Sequence, residues 1–113
     1  MHSRTVKLRE EHSGADSRYL HAGLTQEGDL HIEGQDLGPT VENYFGAGNT
    51  EYEWAIVVKA ADFPQLYSAL VGEETDDVVS LLASRFAKDP RVATKEFLDE
   101  WKIPNEFWNR VGS

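Results

Sequence analysis

Apolar and polar positions alternate along the first half of this chain, and helical spacing takes over in the second. In Thr5 to Glu11, Val6 and Leu8 alternate with Lys7 and Arg9, which predicts a short strand. Ser13-Gly14-Ala15-Asp16-Ser17 has the composition of a turn. Arg18 to Thr25 predicts a second strand with Leu20, Ala22 and Leu24 on one face, and Leu30 and Ile32 mark a third. Parity decides the loop between them. A two-residue loop at Glu27-Gly28 would set Leu24 opposite His31 and mix the faces. A three-residue loop sets Leu24 opposite Leu30 and Ala22 opposite Ile32, which keeps one apolar face. It also puts Gly28 last in the loop, where such hairpins take a left-handed residue. His21 then stands opposite Glu33 on the outward face.

Gly34 to Asn49 reads as a connection. Asp36-Leu37-Gly38-Pro39 is a turn, and Pro39 is placed to open a short helix. Val41, Tyr44 and Phe45 have helical spacing, and Gly46 stops them. Thr50 to Lys59 predicts the fourth strand. Its first half alternates Glu51, Tyr52, Glu53, Trp54, so one side is wet. Its second half, Ala55-Ile56-Val57-Val58, is apolar throughout and is expected to be central and covered on more than one side. Parity sets Tyr52 inward with Trp54, Ile56 and Val58, and sets Glu51 and Glu53 outward.

Helical signals follow. Asp62 and Gln65 fit a capping box, Pro64 sits in a tolerated first turn, and Gly72 ends a stripe carried by Leu66 and Leu70. Thr75 is placed as the next N-cap, with Asp76 and Asp77 in the first turn, where the helix dipole favours negative charge. Val78, Leu81, Leu82, Arg85 and Phe86 carry that stripe until Asp89-Pro90. A third helix spans about Thr94 to Trp101 on Phe97, Leu98 and Trp101, and Phe107 and Trp108 are expected to close the chain as a short helical tail. Strands first and helices last predict an α+β domain: an antiparallel sheet of about four strands followed by three or so helices packed on one face, all within a single globular unit, residues 1–113.

Composition narrows the function classes. The chain has 113 residues, no cysteine and a net charge of −9. It therefore lacks disulfide staples and Cys-based zinc or redox sites, and a reducing cytoplasm suits it. The N-terminal run has no apolar stretch of a signal peptide, and Trp54 to Val58 is far too short to span a membrane. The acidic balance argues against nucleic acid and anionic membranes as partners and suits a basic protein. It also suits plain solubility.

Sites of chemistry are sparse. His21, His31 and Glu33 are a possible ligand set for a metal, but the cross-strand register makes the two imidazoles diagonal, and a solvated His–Glu pair explains them. Glu51 and Glu53 share a strand face without a sign of a buried carboxylate pair. No serine sits in a nucleophile elbow, and Gly46-Ala47-Gly48 lacks the lysine and further glycine of a phosphate loop. No catalytic residue, metal or cofactor is therefore assigned, and the chain is not expected to be an enzyme. The feature that remains is acidic and aromatic. Between Arg18 and Lys59 there is no Lys or Arg, while Glu27, Asp29, Glu33, Asp36, Glu42, Glu51 and Glu53 all fall there. Asp36, Glu42, Tyr44, Glu51, Tyr52, Glu53, Glu73, Glu74, Asp76 and Asp77 form the candidate partner-binding set, because aromatic anchors ringed by acids fit a basic protein surface.

Several runs carry a resemblance: G-Q-D-L-G from Gly34 to Gly38, V-E-N-Y-F-G from Val41 to Gly46, E-Y-E-W from Glu51 to Trp54, and F-L-D-E-W-K-I-P-N-E-F-W from Phe97 to Trp108. From about Leu20 on, the chain resembles small acidic bacterial proteins of the toxin-immunity type, found in contact-dependent and polymorphic toxin systems. The resemblance implies a cytoplasmic binding protein that neutralises a cognate toxin domain, such as a basic nuclease, by covering its active site or substrate surface. It transfers no particular binding residue. The other reading is a small regulatory or structural module that self-associates through an exposed sheet edge.

Overall fold

The computed structural model describes residues 5–73 and 76–112. Strands β1 (Thr5–Ser13), β2 (Asp16–Leu24) and β3 (Leu30–Leu37) lead into a short helix α1 (Pro39–Phe45) and strand β4 (Glu51–Val58). Helices α2 (Phe63–Ala69), α3 (Val78–Phe86) and α4 (Lys95–Glu100) follow, and β5 (Glu106–Gly112) closes the chain. The sheet is antiparallel throughout, in the order β1-β2-β3-β4-β5. The fold is thus α+β, with five strands and four helices where four and about three were expected.

The hairpin register is the one parity required. Leu24 pairs with Leu30, Ala22 with Ile32 and His21 with Glu33. Thr25 N–H donates to Asp29 O at 2.8 Å, which leaves a three-residue loop whose last member, Gly28, has φ 87°. Pro39 opens α1 and Gly46 ends it, as read from the sequence.

Five local expectations are corrected. β3 does not stop before Gly34 but runs on to Leu37, because Gly34, Gln35, Asp36 and Leu37 pair with both neighbouring strands. Phe107 and Trp108 belong to a strand and not a helical tail: the free edge of β4 takes up Glu106 to Gly112. Ala55 and Val57 are not covered on a second side; they stay half-buried, since every sheet residue of the core lies on the other face. Asp62 occupies the N-cap of α2 but its side chain makes no capping bond, so the capping box does not form. Asp77 itself caps α3, accepting from Val79 N–H at 3.0 Å. Thr75, expected there, lies outside the described residues, as does Glu74.

The core sits between one sheet face and α2, α3 and α4. Leu20, Ala22, Leu30, Ile32, Ile56 and Val58 meet Leu66, Leu70, Val79, Leu82, Leu98 and Ile103 there, all buried. A bulge between Lys7 and Arg9 shifts the β1 register, so that Arg9 pairs with Leu20 and turns to the helix side, with its guanidinium 5.4 Å from the Phe86 ring centroid. No helix among the described residues is long and apolar enough to cross a membrane.

Candidate functional site

The register lays the helix-facing side of the sheet out as cross-strand rows. One row reads Val6–Ala22–Ile32–Ile56–Phe107, and most of it is core. The next reads Arg9–Leu20–Gly34–Trp54–Asn109. The third reads Glu11–Arg18–Asp36–Tyr52–Val111, and here the chemistry turns polar and aromatic. Beside the third row lies α1, which borders β3 and β4. The result is a cavity of about 740 Å³ floored by that row and walled by Thr40, Val41, Tyr44 and Phe45 of α1. A second hollow of about 400 Å³ shares Asp36 and Tyr52 with it and runs on to Thr94, Lys95 and Glu96 at the start of α4. The two form one groove across the sheet.

Four rings line up along this groove. Tyr44 meets Phe45 edge-on at 4.8 Å between centroids, Phe45 stacks on Tyr52 at 5.1 Å, and Tyr52 stacks on Trp54 at 5.4 Å. Trp54 lies flat over its cross-strand partner Gly34, where any Cβ would run into the indole. A glycine in mid-strand marks such a close approach. Tyr44, at 82% exposure, is the outermost ring.

Electrostatics in the groove are mixed but lean negative. Arg18 bridges Glu11 at 3.5 Å and Asp36 at 3.4 Å, both long contacts. Burial pushes the Tyr52 phenol above its ordinary pKa, and the nearby Asp36, Tyr44 and Glu96 add to the shift. Asp16 fixes the wall: its carboxylate accepts from Thr40 N–H at 3.0 Å and Thr40 Oγ1–H at 2.5 Å. Those bonds hold the Asp16 carboxyl below its usual pKa. Gly38, at φ 119°, lets the chain turn tightly against Asp16 and Ala15 before α1 begins.

Of the sequence-derived set, the structure brings Asp36, Tyr44 and Tyr52 together in the groove. Glu42 sits on α1 with its carboxylate on Gly48 N–H at 2.9 Å, closing the turn after the helix. Glu51 and Glu53 lie on the opposite sheet face, as parity required. There Glu51 accepts from Gln35 Nε2 at 2.7 Å and Glu53 pairs with Arg110, which holds the Glu53 carboxyl below its usual pKa. Glu73, Asp76 and Asp77 belong to the connection between α2 and α3 and line neither cavity. Asp76 accepts from Glu73 N–H at 2.8 Å, and Asp77 serves the α3 cap.

Sequence reasoning did not assign Glu11, Arg18, Phe45, Trp54 or Val111 to the site. The signal for one of them, Arg18, was present: the register that sets Leu24 opposite Leu30 also sets Arg18 opposite Asp36, once β3 is carried past Gly34. Among the described residues no group of three or more His, Cys, Asp and Glu side chains is placed to hold a metal ion. No protein-family model, curated protein or solved structure matches this chain. The groove is therefore read from its own chemistry.

Proposed function

We propose that the chain is an immunity-type binding protein that docks a basic toxin domain in the cytoplasm through the groove face and covers that toxin's working surface. The observation that carries this reading is the open row Glu11–Arg18–Asp36–Tyr52–Val111 beside the four-ring ladder. Aromatic side chains with few rotatable bonds anchor interfaces, and carboxylates beside them pair with Lys or Arg of a partner. On a nuclease such cations hold phosphate, so occupying them blocks substrate. The chain's net charge of −9 would speed encounter with a basic partner. In this account the groove supplies the contact, while Glu51, Glu53 and the acids between α2 and α3 supply the field.

Co-expression with the toxin domain encoded beside it tests the proposal. The wild-type chain is expected to protect cells. A Tyr44→Ala/Asp36→Arg variant is expected to fold and to lose protection. Protection unchanged by that variant would remove the groove from the account, and no protection by the wild type would remove the function.

A further inference from the structure

The strand order leaves β1 and β5 as the two edges of the sheet. They are guarded differently. β1 carries a bulge between Lys7 and Arg9 and a dense set of charges, Lys7, Arg9, Glu10 and Glu11, all of which discourage a further strand. β5 keeps an unbroken register with β4 and contains neither proline nor bulge. Its two charges, Glu106 and Arg110, cancel in a chain of net charge −9. Three of the seven exposed large hydrophobic residues among the described residues, Phe107, Trp108 and Val111, fall on it. Among the described residues no strand pairs with its outer side.

We infer that β5 is a homodimer seam: it pairs antiparallel with β5 of a second copy about a twofold axis through Asn109. Asn109 is the middle residue of Glu106–Gly112, so that axis overlaps the whole strand. The pattern is self-complementary about it. Phe107 meets Val111 of the second copy on the groove face, Trp108 meets Arg110 of the second copy on the open face, and Glu106 meets Gly112. Apolar pairs and aromatic–cation pairs are the contacts that stabilise cross-strand neighbours. The local neutrality of β5 lets two acidic chains approach here.

A twofold axis normal to the sheet keeps both groove faces on one side. Asn109 and Val111 line the larger cavity and Phe107 the smaller. Phe107 of the second copy would therefore extend the wall of the first copy's groove beside Val111, and the two grooves would join across the seam. The dimer does not depend on the toxin-binding reading and stands or falls separately.

The chain has no cysteine, so single-cysteine variants report the register cleanly. Directly opposed residues lie about 4.5–5.5 Å apart, whereas diagonal ones lie about 7–8 Å apart, and a disulfide needs Cα atoms within about 7 Å. Asn109→Cys is expected to form a covalent dimer under mild oxidation, and Trp108→Cys to remain uncrosslinked. Sedimentation of the unmodified chain across a dilution series is expected to show a monomer–dimer equilibrium. Trp108→Lys, which faces Arg110 of the second copy with a like charge, is expected to raise its dissociation constant about tenfold or more. Trp108→Glu, which faces Arg110 with an opposite charge, is expected to retain the dimer. A monomer at every concentration would overturn the inference, and so would Trp108→Cys crosslinking as well as Asn109→Cys. Protection of the β5 amides only on adding a basic partner would also overturn it, and would assign the edge to a partner strand.

Discussion

Two rows of the same sheet face, one strand pair-repeat either side of Gly34 and Trp54, have opposite fates. Ala22, Ile32 and Ile56 are buried beneath α2, α3 and α4. Arg18 is exposed and Asp36 and Tyr52 are only half-buried, bordered by α1 and by the start of α4. The backbone is the same in both, with the same strands, the same register and the same side. The difference lies in side chains and in how far the helices reach. Aliphatic pairs in the first row have no alternative to burial. The second row has an ion pair, a phenol and a stacked ring ladder, which tolerate water on one side. A sheet face left open for no purpose would more simply carry short polar residues; this one carries Tyr52 and Trp54 on its floor and Tyr44 and Phe45 on its wall.

Mutations should separate stability from binding according to row. The largest stability effect belongs to the covered row. Ile56→Ala should cost roughly 2–5 kcal/mol in urea denaturation, because Ile56 is 1% exposed and its cavity cannot fully collapse. Partner affinity per folded molecule should not change. Gly34→Ala belongs to the boundary and should affect both properties. The new methyl displaces the Trp54 indole, at a cost of roughly 1–3 kcal/mol, with a shift in tryptophan fluorescence and weaker partner binding. Tyr44→Ala belongs to the open side, on the α1 wall of the groove. Its melting should stay within about 0.5 kcal/mol of wild type, while affinity should fall by about 2 kcal/mol or more if Tyr44 is an anchor. A large loss of stability with intact binding would reverse its assignment.

Acid should loosen the open half before the covered one. Asp16 has a folded-state pKa below its unfolded value, so its contribution is complete above the ordinary Asp pKa and is lost as pH falls through the lowered folded value. The Thr40 amide, followed by NMR against pH, should therefore shift with a midpoint below the usual Asp range. Asp16→Asn should abolish that transition. A midpoint at or above the usual range would show that the Asp16–Thr40 link does not hold α1. The smallest effect is expected on the opposite face. Glu51→Lys with Glu53→Lys should slow association with a basic partner and leave its dissociation rate nearly unchanged, since those side chains add only to the field.

Much of the fold was legible because the face that packs also alternates. Leu24 opposite Leu30 and Ala22 opposite Ile32 follow from one requirement, a single apolar face, and they fix the central register. The same rule set Tyr52 inward and Glu51 and Glu53 outward. It failed where alternation carried no hydrophobic signal. Beyond Gly34, β3 offers Gln35, Asp36 and Leu37, which read as connection and turn because none is core: Asp36 and Leu37 line the cavity beside α1, and Gln35 bonds Glu51 on the opposite face. β5 was obscured by adjacent aromatics, Phe107 and Trp108, which point to opposite faces and leave no amphipathic trace. The groove needed both of those stretches, so its floor could be only half seen from sequence: Asp36, Tyr44 and Tyr52 were chosen, but Arg18, Glu11, Trp54 and Val111 come together only through tertiary pairing.

Partner binding, on the proposed function, belongs to the open row and not to the acidity of the chain as a whole. The most direct test is parallel capture from native lysate at rising salt, with mass spectrometry, by three tagged proteins: the wild type, Tyr44→Ala/Asp36→Arg, and Glu51→Lys/Glu53→Lys. The account predicts one basic partner held stoichiometrically by the wild type and by the Glu51/Glu53 variant, and lost by the groove variant. No stoichiometric partner, or equal loss from both variants, would contradict it.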